Sequence, residues 1–149
     1  MKITYRGDYA LKALLQLALS YEGPDEGVMS ITEIAKLGDM PTKFLEQILL
    51  ALRRGGFVKS RRGVKGGFLL AKHPKDITIG DVIRFVEGPI EPIACVKHKE
   101  TCSYSSRCAL RDVFSDIGKY TAAKVDSVTF ADLRDKQSKK ETKYAEYYI

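Results

Sequence analysis

The most restrictive stretch of the chain runs from Pro41 to Leu70. Phe44, Leu45, Ile48, Leu49 and Leu52 recur on one side of a helical period, while Lys43, Glu46, Gln47, Arg53 and Arg54 lie away from it, and Pro41 is well placed near the helix start. Gly55-Gly56 ends that helix, and the β-prone residues on either side of Gly63 to Gly67 then predict a hairpin. Just upstream, Ser30 and Glu33 have the spacing of a capping box, Ile31, Ile34 and Ala35 make a short apolar face, and Gly38 offers a C-terminal stop. Two short helices joined by the tight Gly38-Asp39-Met40 turn, with a hairpin appended, read as a winged helix-turn-helix. The expected fold is mainly α with a small β-hairpin.

Charge falls on the same stretch. Residues 41 to 75 hold nine of the chain's 25 Lys and Arg but a single acidic residue, Glu46. The whole chain carries only +6, so the excess is local, and a local excess favours nucleic acid over diffuse adsorption to a membrane. In a helix-turn-helix the second helix puts its N-terminal residues against base edges, which selects Thr42, Lys43, Phe44, Glu46 and Gln47. Lys43 suits a guanine edge or a phosphate, Gln47 an adenine, Glu46 a cytosine amino group and Phe44 a thymine methyl. Phe44 has a competing reading as core, and Glu46 one as a helix salt-bridge partner. Arg61, Arg62 and Lys65 surround glycines, Gly66 and Gly67 among them, that let backbone approach a phosphate or enter a narrow minor groove. Arg53 and Arg54 complement a helix C-terminus and rank as backbone contacts.

The rest of the chain reads as support. From Tyr9 to Ser20 only Lys12, Gln16 and Ser20 are polar, giving one wet stripe on an otherwise buried helix. Thr78 caps a helix whose Ile79, Val82, Ile83 and Val86 form an apolar face, stopped by Gly88-Pro89 and placed to seal the hairpin onto the core. Residues 89–107 lack periodicity and exceed the about 12 to 15 residues usual for a structureless connection, which marks a functional or disordered loop. From Cys108 to Ser127, Leu110, Val113, Phe114, Ile117, Tyr120 and Val125 mark a long amphipathic helix that calls for a dimer partner, and a short helix starts at Thr129. Arg134 to Lys143 is nearly all polar and is expected to fray or be disordered, before a final turn with Tyr144, Tyr147 and Tyr148. The expected division is a winged domain over 1–88, a cysteine-bearing loop over 89–107, a dimerisation helix region over 108–135 and a polar tail over 136–149.

All three cysteines lie in or beside the irregular stretch. Cys95, Cys102 and Cys108 are separated by six and five residues, looser than the gaps of zinc knuckles. An odd count confined to one loop argues against a disulfide framework. Thiolates so spaced suit an iron-sulfur cluster, whose irons accept well-separated ligands. The competing reading is free thiols or a redox switch. A cluster normally takes four protein ligands, so a fourth must come from elsewhere: His98, Glu100 and Asp112 are local, and Asp8 can reach across from a second subunit unless it serves as the N-cap of the first helix.

Taken together, these motifs resemble the Rrf-two family of bacterial regulators. The likeness rests on Met1-Lys2-Ile3-Thr4 with Gly7-Asp8-Tyr9-Ala10-Leu11, on Phe44-Leu45-Glu46-Gln47-Ile48-Leu49 with Leu52-Arg53-Arg54-Gly55-Gly56, on Arg62 to Leu70 and on the three cysteines. It implies a homodimeric winged-helix transcription factor in which the helix after Cys108 crosses its mate. It further implies that Glu46 and Arg62 read sequence, and that Cys95, Cys102 and Cys108 hold a 2Fe-2S or 4Fe-4S cluster with Asp8 of the partner as fourth ligand. The chain departs from the family pattern twice: one extra residue lies between Cys95 and Cys102, and Arg111 stands where some members place a histidine ligand.

The sequence excludes several classes. There is no phosphate-binding glycine loop before a helix, no nucleophile elbow, and only two histidines, so no catalytic constellation is present and no small-molecule substrate is implied. No run of about 18 apolar residues spans a bilayer, and charge interrupts the N-terminus before a signal-like segment forms, which predicts a cytoplasmic protein. The partners expected are double-stranded DNA and a second copy of the chain. The alternative kept beside the cluster reading is a cluster-free repressor responding through cysteine oxidation or a protein partner.

Overall fold

The computed structural model describes residues 2–147. Six helices and one hairpin appear in the order α1 (Tyr5–Leu19), α2 (Ile31–Leu37), α3 (Thr42–Arg54), β1 (Val58–Arg61), β2 (Gly67–Leu70), α4 (Ile79–Glu87), α5 (Ala109–Asp126) and α6 (Phe130–Tyr147). Short 3-10 turns occupy Pro74–Asp76, Ala94–Val96, Lys99–Thr101 and Ser105–Arg107.

The caps set these boundaries. Thr4 accepts from Gly7 N–H and starts α1. Asp8 is therefore a residue of the first turn and not the N-cap; it ion-pairs with Lys12 at 2.9 Å. Ser30 with Glu33, and Thr78 with Asp81, close reciprocal capping boxes at α2 and α4. Gly38, Gly55 and Gly88 end α2, α3 and α4. The β1–β2 ladder is antiparallel, pairing Val58 with Leu70 and Arg61 with Gly67. Met29 adds a bridge to Phe68, with N–H···O distances of 2.8 and 2.9 Å. Gly67 sits at φ +157° with the Met29 carbonyl where a Cβ would stand, so only glycine brings the strands this close.

The core is one cluster. Ala10, Ala13, Leu14, Leu17 and Ala18 of α1 meet Ile34 of α2, Leu45, Leu49 and Leu52 of α3, Val58 and Leu70 of the hairpin, Val82 of α4 and Phe130 of α6. Phe130 is fully buried, and the α6 start is pinned by Phe130 N–H to Ile77 O at 2.9 Å.

The C-terminal stretch departs from the sequence reading. Arg134 to Lys143, expected to fray, continues α6 as helix to Tyr147. The physical reason lies at the other end: the Thr129–Asp132 cap and the buried Phe130 nucleate the helix, and propagation costs little once nucleated. Tyr144 and Tyr147 belong to that helix, and Tyr148 lies outside the described residues. Among the described residues no helix is long and apolar enough to cross a membrane.

Candidate nucleic-acid interface and cysteine loop

Helix α3 is divided lengthwise by the core. Leu45, Ile48, Leu49, Ala51 and Leu52 are buried, while Thr42, Lys43, Glu46, Gln47, Leu50, Arg53 and Arg54 face out. Burial of one apolar stripe thus fixes the direction of the outward row. Pro41 holds the cap position and supplies no side-chain acceptor, so the α3 start is open on its polar side. Among the described residues Glu46 forms no ion pair of the kind its helix position invited; it faces outward.

The core reading of Phe44 does not hold. It is 60% exposed, so it is not core, and it leans toward α1 to line a groove of about 520 Å³ with Tyr5, Tyr9, Ile48, Arg6 and Arg54. Gln47 borders the same groove. The outermost row, away from that groove, is Thr42, Lys43 and Glu46.

The hairpin is fastened to α3 and to the α1–α2 loop. Arg53 Nη1 donates to Ser60 Oγ at 3.0 Å, joining the end of α3 to β1. Lys59 Nζ meets Asp25 Oδ1 at 2.6 Å, and this ion pair holds the Asp25 carboxyl below its usual range. Arg61 donates to the Asp25 carbonyl. Sequence reasoning placed Arg61 among the wing-tip cations; the structure folds it back onto the loop, which leaves Arg62 and Lys65 exposed at the tip beside Gly63, Val64, Gly66 and Gly67. Nothing local in the sequence couples Asp25 to a strand more than thirty residues away.

The cysteine loop is a chain of single 3-10 turns. Cys95 lies in the first of these, Cys102 follows the second and Cys108 is the N-cap of α5; all three are free, Cys102 exposed and the others half-buried. Arg111, in the first turn of α5, donates from Nε to Cys95 O at 2.9 Å and from Nη2 to Val96 O at 3.0 Å. A cation in the first helical turn opposes the macrodipole, and here it is held by two loop carbonyls. Sequence reading recognised only that Arg111 cannot ligate iron; its clamp on the cysteine turn was not foreseen. The Glu100 carboxyl is held low by its own backbone N–H and by His98 at 3.1 Å.

The candidate cluster ligands stand apart within one protomer. Among the described residues no three His, Cys, Asp or Glu side chains gather to share a metal. The thiols sit on separate turns, and Asp8 is paired with Lys12 in its own helix.

Fold, exposed helix and basic hairpin define a winged-helix transcriptional regulator. The chain belongs to the Rrf2 family, described as an iron-dependent transcriptional regulator, whose profile matches residues 3–136. It is 33% identical over 138 residues to the HTH-type transcriptional regulator IscR of Serratia proteamaculans, covering 92% of this chain and 81% of that one. Its structure is similar to CymR (YrzC), the global cysteine regulator of B. subtilis, with TM-score 0.73, 35% identity and coverage of 91% of this chain and 97% of the other. The oxidized form of Staphylococcus aureus CymR is similar at TM-score 0.71 and 28% identity, covering 90% and 96%. The relatives are regulators and not enzymes.

Proposed function

We propose that the chain is a homodimeric DNA-binding regulator that reads an inverted repeat with α3 and its wing, and that the cysteine loop is its sensor. The division of α3 carries this reading. Thr42, Lys43 and Glu46 are exposed on a helix whose opposite stripe is locked in the core, beside a hairpin tip bearing Arg62 and Lys65. In a two-fold dimer two such helices enter successive major grooves about 34 Å apart. Lys43, Arg62 and Lys65 neutralise phosphates or enter grooves, while Glu46 accepts from a cytosine amino group. The test is binding of the full chain to its candidate operator and to random duplex across a salt series. A steep loss of affinity with salt is expected for several phosphate contacts; a flat response would turn the basic face away from DNA.

Two chemistries of the sensor remain in play. An iron-sulfur cluster on Cys95, Cys102 and Cys108, with Asp8 of the partner, draws support from the thiol count and from the iron-dependent description of the family. Thiol oxidation is favoured by the arrangement of the loop itself, three free thiols on separate turns with Cys102 exposed, and by a similar protein having been crystallised in an oxidized form. Iron and acid-labile sulfide per chain, in protein prepared without oxygen, separate them. Stoichiometric iron lost on Cys102→Ser establishes the first. Iron-free protein whose DNA affinity responds to a thiol oxidant establishes the second.

A further inference from the structure

The loop between α1 and α2 is laid across one side of the hairpin. Met29 at its end is bridged to Phe68 of β2, and Tyr21 at its start packs edge-on against His73, with ring centroids 5.2 Å apart. Between these anchors Ser20 Oγ donates to Gly27 O at 3.0 Å, and Gly27, at φ +76°, has the Ser20 carbonyl where a Cβ would stand. Asp25 sits at φ +65°, a left-handed position that aspartate and asparagine tolerate. Its carboxylate meets Lys59 Nζ, and its carbonyl accepts from Arg61. The register puts Lys59, Arg61 and Leu69 on this side of the ladder, where Leu69 is only 3% exposed. Ser60, on the other side, meets Arg53 of α3.

Loop and hairpin are opposite in charge. Residues 21–29 hold three carboxylates, Glu22, Asp25 and Glu26, and no Lys or Arg. Residues 58–70 hold four cations, Lys59, Arg61, Arg62 and Lys65, and no carboxylate. Asp25 engages two of the four, and the other two are exposed at the tip. The Lys59 side chain is still 45% exposed. An ion pair this open is weak, so a DNA phosphate would compete closely with Asp25 for Lys59.

We propose that Asp25 is a specificity-determining residue: it withholds Lys59 and Arg61 from DNA phosphates, so that non-specific attraction is left to the wing tip and α3. This rests on the DNA-binding reading above and says which wing cations are kept off the backbone. Phosphate contacts carry no sequence information, so a lysine free to engage phosphates in any pose strengthens binding to every duplex. In the operator complex the pose is set by α3 in its groove, and Lys59 is on the side of the wing away from α3. Releasing Lys59 therefore adds less to operator binding than to random binding. Withholding it widens the gap between the two. Glu22 and Glu26, exposed on the same loop, repel phosphate from that side as well.

Asp25→Asn keeps the left-handed backbone and removes the charge, and Lys59→Gln removes the cation; both positions are exposed, so neither change disturbs the core. The two single variants and the double variant of the full chain are titrated by fluorescence anisotropy against two duplexes of equal length. One duplex is of random sequence, and the other is selected from a random pool by the parent. Asp25→Asn should bind the random duplex about two- to fivefold more tightly, the scale of one exposed ion pair. Its log–log salt slope should steepen by about 0.9, for one added phosphate, and its preference for the selected duplex should fall. Lys59→Gln alone should leave both affinities near the parental values, and the double variant should lose the gain. An unchanged slope in Asp25→Asn overturns the proposal, as does a gain that survives Lys59→Gln, which would assign the effect to overall charge. Weaker binding to the selected duplex with random binding unchanged also overturns it and makes Asp25 a brace for the wing alone. A parent chain that binds neither duplex removes the DNA-binding reading itself.

Discussion

Arg84 and Asp126 form a two-pronged ion pair, Nη1 to Oδ1 at 2.6 Å and Nη2 to Oδ2 at 2.8 Å, that ties α4 to the last turn of α5. The partners are 42 residues apart, and their pairing is one link between α4 and the helix that follows the cysteine loop. In the same last turn of α4, Glu87 accepts from Thr4 N–H at 2.9 Å and Thr4 Oγ1 at 2.6 Å. Helix α4 therefore joins the end of α5 to the start of α1.

Arg84→Ala should cost about 0.5 to 1 kcal/mol, since both side chains are partly solvated. The hydrogen bond from Arg84 lowers the Asp126 pKa from its ordinary 3.8. A carboxylate held low in the folded state stabilises fully above about pH 3.8 and loses that contribution as pH falls through its lower folded value. Urea titrations at pH 7 and pH 3 should show the parent and Arg84→Ala converging at the lower pH.

Phe130→Ala should cost about 3 to 5 kcal/mol, because the ring is fully buried in the core where α6 meets α1 and the Pro74–Asp76 turn, and its loss leaves a cavity. Thermal unfolding measures this. A loss under about 1 kcal/mol would mean that α6 is not part of the cooperative core.

Arg62→Ala and Arg61→Ala should separate. Arg62 is exposed at the wing tip, and its removal should weaken operator binding by about 1 to 3 kcal/mol if it reads a groove. Arg61 is held by the Asp25 carbonyl, so its removal should act first on the attachment of the wing to the α1–α2 loop. Fluorescence anisotropy on the same duplex compares them, and equal losses would contradict this division of roles.

Arg111→Ala should speed alkylation of Cys95 while leaving that of Cys102 nearly unchanged. Arg111 holds the Cys95 and Val96 carbonyls, whereas Cys102 is already exposed. Mass spectrometry of iodoacetamide-labelled peptides reads both sites. Unaltered Cys95 labelling would show that the clamp does not order the turn.

Much of the frame was legible because its signals are local. The Ser30–Glu33 and Thr78–Asp81 boxes, the Gly38, Gly55 and Gly88 stops and the stripe of α3 each depend on residues within a few positions of one another. The course of α6 was misread because polarity alone suggested disorder, while the stabilising feature was the buried Phe130 at its base. The side Phe44 takes was ambiguous because it sits at the edge of the apolar arc, and only the presence of α1 decides which way that edge faces.

What the sequence determined by itself was periodicity, capping and charge: a helix-turn-helix with a basic wing, an irregular loop bearing three cysteines and an uncovered amphipathic helix. The tertiary structure alone decided that Arg61 turns back to Asp25, that Arg111 clamps the Cys95 turn, that Arg84 reaches Asp126, and that the three thiols stand on separate turns. Such pairings join residues far apart along the chain. They depend on how the packed elements are oriented about the core, which short-range patterns do not encode.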